Sequence, residues 1–103
     1  GDREYLRWAL PHDEDPLLDA LARIHVAGED HLVAGDRLIG TFRAHGLLAP
    51  VWEFDPGTGP EQLAERLGQL EVKLNGLIQS PQPLSTEERS ARSGLASRQV
   101  TIR

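Results

Sequence analysis

The chain has 103 residues, one domain's length, with 39% hydrophobic residues, 26% charged residues and a formal net charge of −5, a globular rather than a disordered composition. It holds no cysteine, which excludes disulfides, thiol catalysis, cysteine-bound zinc and iron–sulfur clusters. No apolar run approaches the ~18 residues of a membrane span, no signal-peptide pattern opens the chain, and the acidity disfavours wholesale phosphate neutralisation; no membrane partner and a cytoplasmic location are expected.

Residues 4–10, E-Y-L-R-W-A-L, alternate with Leu6, Trp8 and Leu10 on one side, the pattern of a half-buried strand. After the P-H-D-E-D loop at 11–15, Asp15 as cap and Pro16 at the first helical position predict a helix. Leu17, Leu18, Leu21 and Ile24 form its apolar stripe and Gly28 its stop. A second helix is expected from Glu29 or Asp36 to His45, with Leu38, Ile39 and Phe42 inward and Gly46 as the stop; it would make a helical hairpin with the first. Gly35 and Gly40 weaken it by about 1 kcal/mol each relative to alanine. Leu48, Trp52 and Phe54 are in step within residues 47–54, and Pro50 predicts an edge strand or one paired on a single side.

The turn-rich D-P-G-T-G-P run at 55–60 leads to the longest predicted helix, Pro60 to about Ile78. Leu63, Leu67, Leu70, Leu74 and Leu77 are spaced 4-3-4-3, a two-heptad seam. Two heptads fall short of the three or four that argue a coiled coil, so packing on the chain's own core is the stronger reading. Ser85 and Glu88 form a capping box for a short helix ending near Gly94. R-Q-V-T-I-R at 98–103 reads as a strand, pairing with 47–54, or as a tail. The expected fold is a helix-dominated α+β single domain over 1–103: a helical hairpin, one long helix, and two or three short strands. Residues 80–103 either dock or extend.

Candidate chemistry is sparse. His25, Glu29 and His31 could approach one another across the first interhelix turn as a metal or acid–base site, but H-x3-E-x-H is no established ligand spacing. Surface and core-edge histidines are the simpler explanation, so no metal or cofactor is assigned. Asp13, Glu14 and Asp15 lack the spacing of a calcium loop, and Glu53 with Asp55 suits the wet side of a strand. The G-T-G at 57–59 lacks the Lys-Ser/Thr of a phosphate loop, and no Ser/His/Asp arrangement stands out, so an enzyme is not indicated. Residues 1–79 hold 7 basic and 14 acidic side chains, whereas 80–103 hold 4 and 2. Arg89, Arg92, Arg98 and Arg103 could contact nucleic acid or dock on the acidic body.

R-W-A-L-P at 7–11, F-R-A-H-G-L-L-A-P-V-W at 42–52 and S-R-Q-V-T-I-R at 97–103 together resemble the C-terminal part of an uncharacterised actinobacterial protein family of unknown function. The resemblance implies a longer N-terminal region in the native protein, in keeping with a chain that lacks methionine, and it carries no active-site residues. The leading expectation is therefore a non-catalytic structural or protein-interaction module of a larger bacterial protein. Its partner would be the missing N-terminal region, another protein or a second copy. Leu63, Leu67, Leu70, Leu74 and Leu77 would form the contact surface, with Trp52 as an aromatic anchor. The metal or acid–base site comes second and the arginine-bearing tail third.

Overall fold

A computed structural model describes residues 2–80 and 82–98. Three strands, β1 (Glu4–Arg7), β2 (Arg37–Ala44) and β3 (Leu47–Phe54), form an antiparallel sheet in the order β1-β3-β2. Three helices, α1 (Glu14–Val26), α2 (Pro60–Ile78) and α3 (Thr86–Ser97), complete the described elements. The fold is α+β.

The expected second helix is strand β2, so the helical hairpin is replaced by a β-hairpin. Leu38, Ile39 and Phe42 suit either period, but Ile, Thr and Phe within R-L-I-G-T-F-R-A prefer a pleated surface. The turn decides it. Ala44 pairs with Leu47, and the two residues between them, His45 and Gly46, have φ of 54° and 79°. Positive φ at both central positions is the type I′ geometry whose twist matches the flanking strands. A bulge at Ile39 sets Leu38 opposite Trp52 and Gly40 opposite Val51.

β3 is the central strand, not an edge, despite Pro50. In an antiparallel ladder a residue's N and C=O point to the same neighbour. The Pro50 carbonyl accepts from the Trp8 N–H at 3.1 Å, so the donor that proline lacks faces β1's side, where the regular strand has ended at Arg7. The chain continues alongside to a bridge between Leu10 and Leu48, close to the predicted 4–10 strand.

Helix α1 begins ahead of the predicted start: Asp13 is the N-cap and Pro16 the third helical residue. First-turn N–H groups have no intrahelical acceptor, so a proline there costs nothing. At the other end Gly28 has φ +71°. Its N–H donates to the His25 carbonyl while that of Glu29 donates to Ile24, the Schellman pattern for which a left-handed glycine is suited. Helix α2 spans the predicted residues. Helix α3 starts at the expected capping box: the Ser85 hydroxyl accepts from the Glu88 N–H at 3.1 Å and the Glu88 carboxylate from the Ser85 N–H at 2.8 Å. Ser85→Ala should cost about 1 kcal/mol, read as a lowered denaturant midpoint at unchanged m.

The core lies between the sheet and the helices. Leu17, Leu18, Leu21 and Ile24 of α1 meet Leu10, Leu38, Leu48, Trp52 and Phe54 of the sheet and Leu70, Leu74 and Leu95 of the other helices. Trp8 packs beside Trp52 with ring centroids 6.3 Å apart. Thr41, buried on the same face, donates its hydroxyl to the Leu95 carbonyl, and its N–H donates to that of Arg98 at β2's outer edge. The predicted terminal strand, 98–103, otherwise falls outside the described residues.

Candidate functional site

The connection from α1 to β2 is the most polar buried part of the molecule. Within Gly28–Asp36, Asp30 and Asp36 have side chains only 5% and 0% exposed, yet each meets a histidine. His25 Nδ1 lies 2.7 Å from Asp30 Oδ2, and His31 Nδ1 lies 2.5 Å from Asp36 Oδ1. Asp36 Oδ2 also accepts the Leu32 and Val33 N–H groups, an Asx-type local closure. The second nitrogen of His31 faces Asp30 Oδ1 at 3.9 Å. One imidazole is thus flanked by two buried carboxylates.

Neighbouring elements hold this loop. From β3 the Trp52 indole N–H donates to the Asp30 carbonyl at 2.7 Å. From α2 the Arg66 guanidinium donates to the carbonyls of His31 and Glu29 at 2.7 and 3.0 Å, and Lys73 pairs with the Glu29 carboxylate. The hydrogen bond to Asp36 raises the His31 pKa above its ordinary 6.5, with the charges of Asp36 and Asp30 adding to it, against desolvation and the nearby Arg66. Among the described residues every buried side-chain N and O has a hydrogen-bond partner, and no group of three or more His, Cys, Asp or Glu side chains is placed to hold a metal ion.

A second feature lies across the sheet. On the face opposite the helices, Arg7, Ala9, Phe42, Ala44, Leu47 and Ala49 line a hollow of about 270 Å³. Arg7 lies over the Phe42 ring, its guanidinium carbon 5.1 Å from the centroid. Leu47 is 38% exposed at the rim. Three of the six lining residues are alanine.

A model of a family of unknown function, DUF5926, matches residues 1–103. The chain belongs to the DUF5926 family. No curated protein and no solved structure matches it.

In this DUF5926 chain the residues singled out by sequence are dispersed. His25 and His31 do converge on one loop, but Glu29 turns away to Lys73, and the carboxylates at the histidines are Asp30 and Asp36. Both aspartates lie five residues after their histidine, H-x4-D twice in succession, a repeated spacing that was the available signal. Trp52, Leu70 and Leu74 are wholly buried in the chain's own core, so they present no surface to a partner. Leu63, Leu67 and Leu77 are half-buried against that core. The reason is α1, whose apolar stripe covers the inner side of α2. Arg92 bonds to Asp15 and Asp19 of α1, docking α3 on the acidic body, while Arg89 bonds locally to the Leu84 carbonyl and Thr86. Arg103 lies outside the described residues. Glu53 and Asp55 pair with Arg3.

Proposed function

We propose that this DUF5926 chain is a non-catalytic protein-interaction module of a larger actinobacterial, cytosolic protein, and that its contact surface centres on the hollow of the outer sheet face. One observation carries the reading: a concavity lined by Ala9, Ala44 and Ala49 together with Arg7, Phe42 and Leu47. Three small side chains beside an aromatic one suit a single apolar side chain of a partner, with Arg7 supplying polar contact. The partner proposed is a protein segment, in the first instance an N-terminal region of a longer native chain. Leu63, Leu67 and Leu77, half-buried along α2, are the portion of the leucine seam left for an additional contact.

A photo-crosslinking residue at Leu47, compared with one at the 75% exposed Val72 of α2, tests this in the full-length protein. The expected result is an adduct from Leu47 alone, mapped to one protein segment and abolished when Ala9→Arg fills the hollow. Equal labelling from both positions, or an adduct that survives Ala9→Arg, overturns the proposal.

A further inference from the structure

We propose that the Gly28–Asp36 loop is a proton-dependent clasp, closed while His31 is an imidazolium between Asp36 and Asp30 and loosened when that ring loses its proton. What decides this is where the ring's charge sits. A neutral imidazole has one N–H and a protonated one has two. His31 bonds through Nδ1 to Asp36 at 2.5 Å and turns Nε2 toward Asp30 at 3.9 Å, a charge contact beyond hydrogen-bond distance, so only the cation sets a positive charge between the two carboxylates. Both acids are nearly free of solvent contact while the ring is 61% exposed, so protons reach the ring without the loop first opening.

The other charged groups do not replace that proton. His25, from α1, is engaged with Asp30 Oδ2. Arg66, from α2, bonds to backbone carbonyls rather than to either carboxylate, and Lys73 is taken by Glu29. Trp52, from β3, supplies a neutral donor to the Asp30 carbonyl. Once His31 is neutral, Asp36 and Asp30 lose the positive charge between them, and the two carboxylates, themselves nearly removed from solvent, are left less well balanced. The direction follows from linkage. A histidine pKa raised on folding contributes stability that is fully present below the ordinary 6.5 and is lost as pH rises through the raised value.

Loosening has a defined place. Arg66 holds the loop's carbonyls at 29 and 31, whereas the segment just beyond is held by Asp36 through the Leu32 and Val33 N–H groups. Leu32, Val33 and Ala34 form one wall of a groove of about 520 Å³ whose other wall includes Gln62, Arg66 and Gln69 of α2. Protonation of His31 therefore fixes that wall and deprotonation frees it. The clasp does not depend on the outer-face hollow.

Amide hydrogen exchange from pH 5.5 to 8.5, corrected for intrinsic rates and followed by NMR, tests this on the 103-residue chain. In the wild type, protection of the Leu32 and Val33 amides should fall several-fold through the His31 ring titration, while the Leu10 amide, bonded to Leu48, stays level. His31→Asn keeps a donor for Asp36 but cannot titrate, so its Leu32 and Val33 protection should be flat with pH. Should that variant fail to fold, the wild-type ring titration and the loss of protection must still share a midpoint. Flat wild-type protection, a midpoint away from that of His31, or an unchanged pH dependence in His31→Asn overturns the proposal.

Discussion

Trp52→Ala should remove about 3–5 kcal/mol of folding stability, the usual cost of deleting a large buried ring. Trp52 is fully buried in the central strand, packs beside Trp8, and belongs to the core cluster that includes the α1 stripe. Against a typical total of about 5–15 kcal/mol the loss approaches unfolding, and at about 4–8 °C per kcal/mol it is a large fall in Tm. The indole has a second duty, because its N–H is the partner of the Asp30 carbonyl. Trp52→Phe retains most of the packing and loses that bond, so it should cost about 1–3 kcal/mol, the usual penalty for a buried group left unpaired. Thermal and denaturant unfolding of the two variants separates packing from loop attachment. A loss below about 1 kcal/mol for Trp52→Ala would contradict its place in the core.

The second large effect is expected at Asp36. Asp36→Ala strands the Leu32 and Val33 N–H groups, of which Leu32 lies in a residue only 7% exposed, at about 1–3 kcal/mol for each buried donor. It also frees His31, whose ring loses the hydrogen bond that raises its pKa. The His31 titration should therefore move down in Asp36→Ala, which NMR of the ring protons reads directly. Asp36→Asn is the informative companion. Its side-chain carbonyl can still accept the two amides while its NH₂ faces Nδ1 of a neutral ring, so stability should be largely kept while the His31 pKa still drops. If both variants shifted His31 equally but neither lost stability, the amide closure by Asp36 would be of no consequence to the fold.

Function was less legible than fold because its candidate features are made by pairing. His25 and His31 are visible as candidates in the sequence, and Glu29 is the acid that the turn after α1 would bring toward them. The loop's Schellman start at Gly28 and the Trp52 bond to the Asp30 carbonyl instead turn Asp30 inward, leaving Glu29 at the surface with Lys73. The outer hollow could not be read at all. Arg7 and Ala9 come from the first strand and its continuation, Phe42 and Ala44 from β2, and Leu47 and Ala49 from β3, so it exists only once three segments are in register.

What the sequence by itself determined were the features fixed within one or two turns of chain. These are the first strand's alternation, the α1 stripe with its glycine stop, α2 from Pro60 to Ile78, and the Ser85–Glu88 capping box. Each rests on local periodicity or on a backbone group satisfied by a residue a few positions away. Only the tertiary structure decided the rest. Residues 37–44 carry apolar spacing that fits a helix or a strand, and the choice fell to the His45–Gly46 turn and to pairing with β3. Pro50 argued for an edge by its missing donor, but that donor faces the side where β1 has already ended, so the strand could be central. Of the leucine seam, Leu70 and Leu74 are buried in the core and Leu63, Leu67 and Leu77 are half-buried against it, because a helix stripe specifies only that it will be buried and not by what.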